Sequence, residues 1–149
     1  MPHLMLFAVC SRVIEDNSDG NLTLVSLLEG VAGYYPPGES KPTEMSVGVA
    51  WSAVAVWWKL PEDEGKSFEQ SVIVISPDGE ELGGASHSLE MKLRSGRISV
   101  NGRSFPTKGE GEHMVRLSLR EAKEDAEWKT VTEYPIFVVY QERDVADIE

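Results

Sequence analysis

Four side chains could serve as nucleophile, base or soft metal ligand: Cys10, His3, His87 and His113. Zinc needs three or four such groups converging, and no two of these lie at ligand spacing. Cys10 sits in an apolar run, where burial raises a thiol's pKa and keeps it inert. His113 stands beside Glu110 and Glu112 at the start of an alternating segment and reads as a rim residue. Serine hydrolysis would need a nucleophile with a His and an orienting acid, and the chain has no Gly-x-Ser-x-Gly elbow. Paired carboxylates are plentiful, but Glu62-Asp63-Glu64, Glu80-Glu81 and Glu124-Asp125 lie in turn-like stretches, as solvated surface does. Gly109-Glu-Gly-Glu112 puts acids where a phosphate loop would hold its ligand. Glu15-Asp-Asn-Ser-Asp-Gly20 resembles a calcium loop, yet its twelfth position is Ser26, where a bidentate Glu is required. A hairpin turn explains it better. The sequence therefore assigns no catalytic residue, no metal ligand and no cofactor, and it argues for a non-enzyme.

Charge narrows the partners. The 149 residues carry a net charge of −11, which repels phosphate backbones and disfavours nucleic acid. The nearest approach to a basic patch is Lys92, Arg94, Arg97 and Arg103, spread over 12 residues. A single Cys excludes an intrachain disulfide and fits a reducing compartment. Leu4 to Cys10 looks briefly like a secretory segment ending in a lipid-modified Cys. No basic residue precedes it, it is short, and Val9 is too large for lipoprotein cleavage. A buried first strand in a cytoplasmic protein is the expectation. No run reaches the ~18 apolar residues that span a bilayer. The sequon Asn21-Leu-Thr23 is then a chance match.

The elements follow from punctuation. Gly and Pro recur at short intervals between β-branched and aromatic runs, which predicts an all-β domain. Leu4–Ile14 and Leu22–Leu28 form a hairpin about the Asp19-Gly20 turn. Gly30–Pro42, with three Gly and three Pro, reads as a connection between sheets. Ser67–Ser76, Glu81–Leu93, Arg97–Phe105, Glu112–Arg120 and Thr130–Tyr140 read as strands, and Pro106–Gly111 as a loop. In Glu112–Arg120, Val115, Leu117 and Leu119 alternate with Arg116, Ser118 and Arg120. About seven or eight strands predict an antiparallel β-sandwich, immunoglobulin-like in architecture, spanning 1–140 as one domain. Residues 141–149, with five charged side chains, read as a frayed or helical acidic tail.

The most telling stretch is Met45–Leu60, which holds three of the four Trp and no acid. At ~3.3 Å per residue, sixteen residues would span about 53 Å, more than a small sandwich normally takes. A bulge, bend or sheet switch is expected. The bulky residues change phase at Ser52–Ala53, which predicts a one-residue slip there. That slip assigns Trp51 and Trp58 to the core and leaves Trp57 outside. If the strand runs unbulged, Trp58 is the outlier instead.

Several pieces together resemble a known family. They are the Cys-bearing first strand, Asn21-Leu-Thr-Leu-Val-Ser-Leu-Leu-Glu-Gly30, Ser76-Pro-Asp-Gly79, and Phe105-Pro106 with Gly111-Glu-His113. The chain is similar over nearly its whole length to small bacterial β-sandwich proteins known only as a domain of unknown function. The resemblance implies a fold and no activity. The functional expectation is a cytoplasmic protein-interaction or assembly module. It would bind a protein or itself through Trp57 with Tyr34 and Tyr35, and neither nucleic acid nor membrane. The alternative is a carbohydrate- or peptide-binding module in a phage- or secretion-associated setting, since exposed aromatics also stack on sugars.

Overall fold

The computed structural model describes residues 1–91 and 93–144. Among them are eleven strands, a single 3-10 turn at Pro61–Asp63 and no α-helix. The strands are β1 His3–Glu15, β2 Leu22–Leu27, β3 Gly30–Tyr35, β4 Glu44–Val47, β5 Trp51–Trp58 and β6 Phe68–Ile75. They continue with β7 Glu81–Leu89, β8 Ser95–Gly102, β9 Phe105–Lys108, β10 Gly111–Glu121 and β11 Lys129–Glu142. No helix is long and apolar enough to cross a membrane.

Three sheets result. The first has the order β2-β1-β5-β8, the second β3-β11-β10-β6-β7, and β4 pairs with β9 as a two-stranded ribbon. All pairings are antiparallel except β3 with β11, which is parallel. The larger sheets share one core cluster. Val9, Ala53, Ala55 and Trp57 come from the first; Phe68, Val72, Val115, Leu117, Leu119, Ile136 and Val138 from the second. The alternation expected of Val115, Leu117 and Leu119 is thus realised. The ribbon joins this core through Val47 and Phe105. Tyr140 donates its hydroxyl to Thr107 Oγ1 (2.6 Å), and Thr107 donates to the Met45 carbonyl (2.7 Å), tying β11 to β9 and β4.

Four expectations need correction. Eleven strands stand where seven or eight were expected. Gly30–Tyr35 is a strand, β3, and only the rest of its Gly/Pro stretch is connection. Residues 105–108, read partly as loop, are β9. Gln141 and Glu142 extend β11 instead of fraying; the remainder of the expected tail, 145–149, lies outside the described residues, as does Lys92 of the basic stretch.

The tryptophan segment shows the largest difference. It switches sheets, as its length demanded, but at Gly48–Ala50: β4 belongs to the ribbon and β5 to the first sheet. Within β5 no slip occurs. Its register with β8 is unbroken from Trp51 opposite Gly102 to Trp58 opposite Ser95. The register shift on its other side falls in β1, between Leu4 and Leu6. Odd-numbered residues therefore face the core throughout. Trp57 is fully buried and Trp58 is 39% exposed, the reverse of the slipped assignment. Trp57 Nε1–H donates to Oε1 of Gln70, itself fully buried, at 2.8 Å. Gly102 is dictated by Trp51: a Cβ there would sit 2.4 Å from the indole nitrogen.

The first sheet also curls. Beyond Cys10, β1 pairs only with β2. Continued in a flat sheet, Glu15 would lie level with position 47 of the neighbouring strand, while Arg97 lies level with Val56. Nine residues of strand is roughly 30 Å. Yet Arg97 Nη2 is 2.8 Å from Glu15 Oε1, and Arg97 Nη1 donates to the Gly20 carbonyl at 2.7 Å. The β1–β2 hairpin is thus folded back across the face of β5 and β8. Under it lie Ala8, Cys10, Ser52 and Val54, all buried on the side away from the main core.

Candidate functional site

The residues that could do chemistry are occupied elsewhere. Cys10 is fully buried and lies 3.4 Å from the Arg12 carbonyl and 3.7 Å from that of Ser52. Burial pushes its thiol pKa up. His113, expected at a rim, is fully buried. Its Nε2 accepts from the Lys108 N–H at 3.1 Å, and its Nδ1 lies 3.2 Å from the Gly111 carbonyl. Both ring nitrogens therefore serve the β9–β10 turn, with the proton on Nδ1. His3 and His87 are exposed on different sheets. Among the described residues no three His, Cys, Asp or Glu side chains could hold one metal ion. The calcium-like segment is a hairpin turn. Asp16 accepts from the Ser18 N–H (2.8 Å) and hydroxyl (2.6 Å), Asp19 from the Asn21 N–H (2.9 Å), and Gly20 takes a positive φ of 75°. The Asp16 and Asp19 carboxylates are turned on their own backbone, and that of Glu15 pairs with Arg97.

The three aromatics expected to form one interaction surface are not brought together. Trp57 is interior, so that part of the expectation is overturned. It shares the core cluster with Ala53 and Ala55 of the same strand. Tyr35 is half-buried against the core. Tyr34 is exposed on edge strand β3, with the Arg143 guanidinium 4.9 Å over its ring.

What the fold exposes instead is a strip on the outer face of the first sheet. Trp58 (39% exposed) and Leu6 (44%) flank half-buried Val56, and Met5 (56%) projects from the irregularity in β1. No described strand covers this end of the face, because the folded-back hairpin reaches only as far as Arg97. Sequence reasoning missed the strip by placing Trp58 inside. Val54 and Val56 are apolar too, so the local pattern of β5 carried no signal for it.

The strip runs into a groove of about 980 Å³ bounded by Glu15 and Leu22 of the hairpin, Val56, Glu90, and Arg97 and Ile98 of β8. A second hollow of about 340 Å³ continues it along β8 past Val54, Ser99 and Asn101. Arg97 crosses between the two, paired with Glu15 and hydrogen-bonded to the Gly20 carbonyl; the pair is the charged part of that crossing. Its side chains are 39% and 60% exposed, so it contributes on the order of 0.2–1 kcal/mol and opens at little cost. The far end of the groove is closed near Gly96, where the Glu90 carbonyl lies 2.6 Å from where a Cβ would be.

No protein-family model matches the chain, and no curated protein matches it in sequence.

Proposed function

We propose that this chain is a non-enzymatic protein-interaction or assembly module, built as an immunoglobulin-like sandwich whose first sheet is curled, and acting in the cytoplasm. The observation that carries the reading is the exposed strip of Trp58, Leu6 and Met5 beside a concave groove. Aromatic anchors next to a concavity are the usual energetic centre of a protein interface. The inert settings of Cys10 and His113 support a binding role over a catalytic one. The strongly acidic composition suits a basic partner surface.

Sedimentation of the purified chain over a range of concentrations, with affinity capture from a lysate of its source cell, tests the reading. The wild type should form a dimer or retain a specific partner. Trp58→Glu should abolish that species at an unchanged urea midpoint. Phe137, a 57% exposed ring on β11, supplies the control: Phe137→Glu should leave association intact. A wild type that stays monomeric and captures the same proteins as Trp58→Glu would overturn the proposal.

A further inference from the structure

We infer that the groove beside β8 receives an extended peptide segment of a partner protein, which adds to β8 as a new strand of the first sheet. This rests on the interaction reading above but uses β8 backbone atoms instead of the Trp58 ring, so the two can fail separately.

The free edge is the first observation. Among the described residues β8 is hydrogen-bonded to β5 alone, and its outward N–H and C=O groups make no backbone hydrogen bond. Exposed edges are usually blunted by Pro, short length or several charges. β8 is eight residues long, has no Pro, and carries one charge, Arg97. Strand addition satisfies such an edge directly.

Width decides the conformation of the occupant. The Arg97 side chain plus one hydrogen bond spans the opening from β8 to the hairpin. A helix with its side chains needs about 10–12 Å for itself alone and does not fit.

The lining decides the sequence. Leu22, Val56 and Ile98, each half-buried, offer apolar sites for alternate side chains of the peptide. Glu90 at the closed end makes no ion pair among the described residues, and Glu15 is released when Arg97 swings aside. The preferred peptide therefore alternates apolar and polar residues and carries Lys or Arg. With Gly96 blocked by Glu90, the ladder runs along Arg97–Asn101.

The test pans a random linear heptapeptide library against the immobilised full chain. The best peptide is then made with N-methyl groups at alternate backbone positions, in both phases. Methylation in one phase should weaken binding by about fivefold or more, the loss of a ladder hydrogen bond, and in the other phase should change it little. Peptide binding should slow amide exchange within Arg97–Asn101 and should survive Trp58→Glu. Failure to enrich any peptide, equal binding of both methylated forms, or protection confined to residues outside β8 would overturn the inference.

Discussion

The burial of Trp57 can be tested through its single polar contact. Trp57→Phe keeps an aromatic ring in place but removes the indole N–H that Gln70 Oε1 accepts at 2.8 Å. Both residues are fully buried, and Gln70 Nε2 already has no partner among the described residues. The smaller ring gives up the transfer energy of about two methylene equivalents, roughly 1.5 kcal/mol. Stranding the Gln70 oxygen adds about 1–3 kcal/mol. The expected destabilisation is therefore about 2.5–4.5 kcal/mol, read as a lower urea midpoint at constant slope. Trp57→Phe with Gln70→Leu replaces both polar partners by apolar groups and should recover about 1–3 kcal/mol, because no orphaned amide is left. Trp58→Phe should change stability by less than about 0.5 kcal/mol. A Trp57→Phe cost below about 0.5 kcal/mol, or a double variant no more stable than the single, would refute the phase of β5 described above.

Two further outcomes follow from the settings of single groups. Cys10, buried under the hairpin with its pKa raised by desolvation, should not react with a disulfide reagent in native buffer and should react stoichiometrically in denaturant; rapid reaction of the native chain would show that the hairpin does not cover it. The Ser18 hydroxyl and backbone N–H hold the Asp16 carboxyl below the ordinary aspartate range. Its contribution to the turn is thus present above that range and lost as pH falls through its own lower value. An NMR titration of the Asp16 carboxyl should show that depressed midpoint, and Ser18→Ala should move it back up; an ordinary midpoint in the wild type would remove the turn geometry as its cause.

Much of the fold was legible because one face of a strand met the core and the other met water. That contrast holds best for β10, whose Val115, Leu117 and Leu119 mark the buried side, and for the turn end of the β1–β2 hairpin beyond Cys10. It fails for β5. The second sheet covers one face of β5 and the folded-back hairpin the other, so Val54 is as buried as Ala53 and the two-residue period disappears into a continuous apolar run. β3 was obscured for a different reason. Gly33 sits where Met45, Val47 and Tyr140 close in, and a Cβ there would lie 2.1 Å from the Met45 sulfur, so the strand carries glycine and looks like a loop. The groove could not be read at all from local pattern. It depends on one tie between Glu15 and Arg97, residues far apart in the chain whose proximity follows only from the curl.

The parallel pairing of β3 with β11 has a bearing on how the chain is made. β11 is the last strand, and it lies between β3, near the start, and β10. Until residues 129–142 have left the ribosome, β3 has no partner in its sheet and β10 presents a bare edge on that side. Most of the core strands are synthesised before the strand that joins them, so the second sheet closes only after β11 has emerged. During that interval both edges are open to pairing with other chains. Any truncation inside β11 would make the interval permanent.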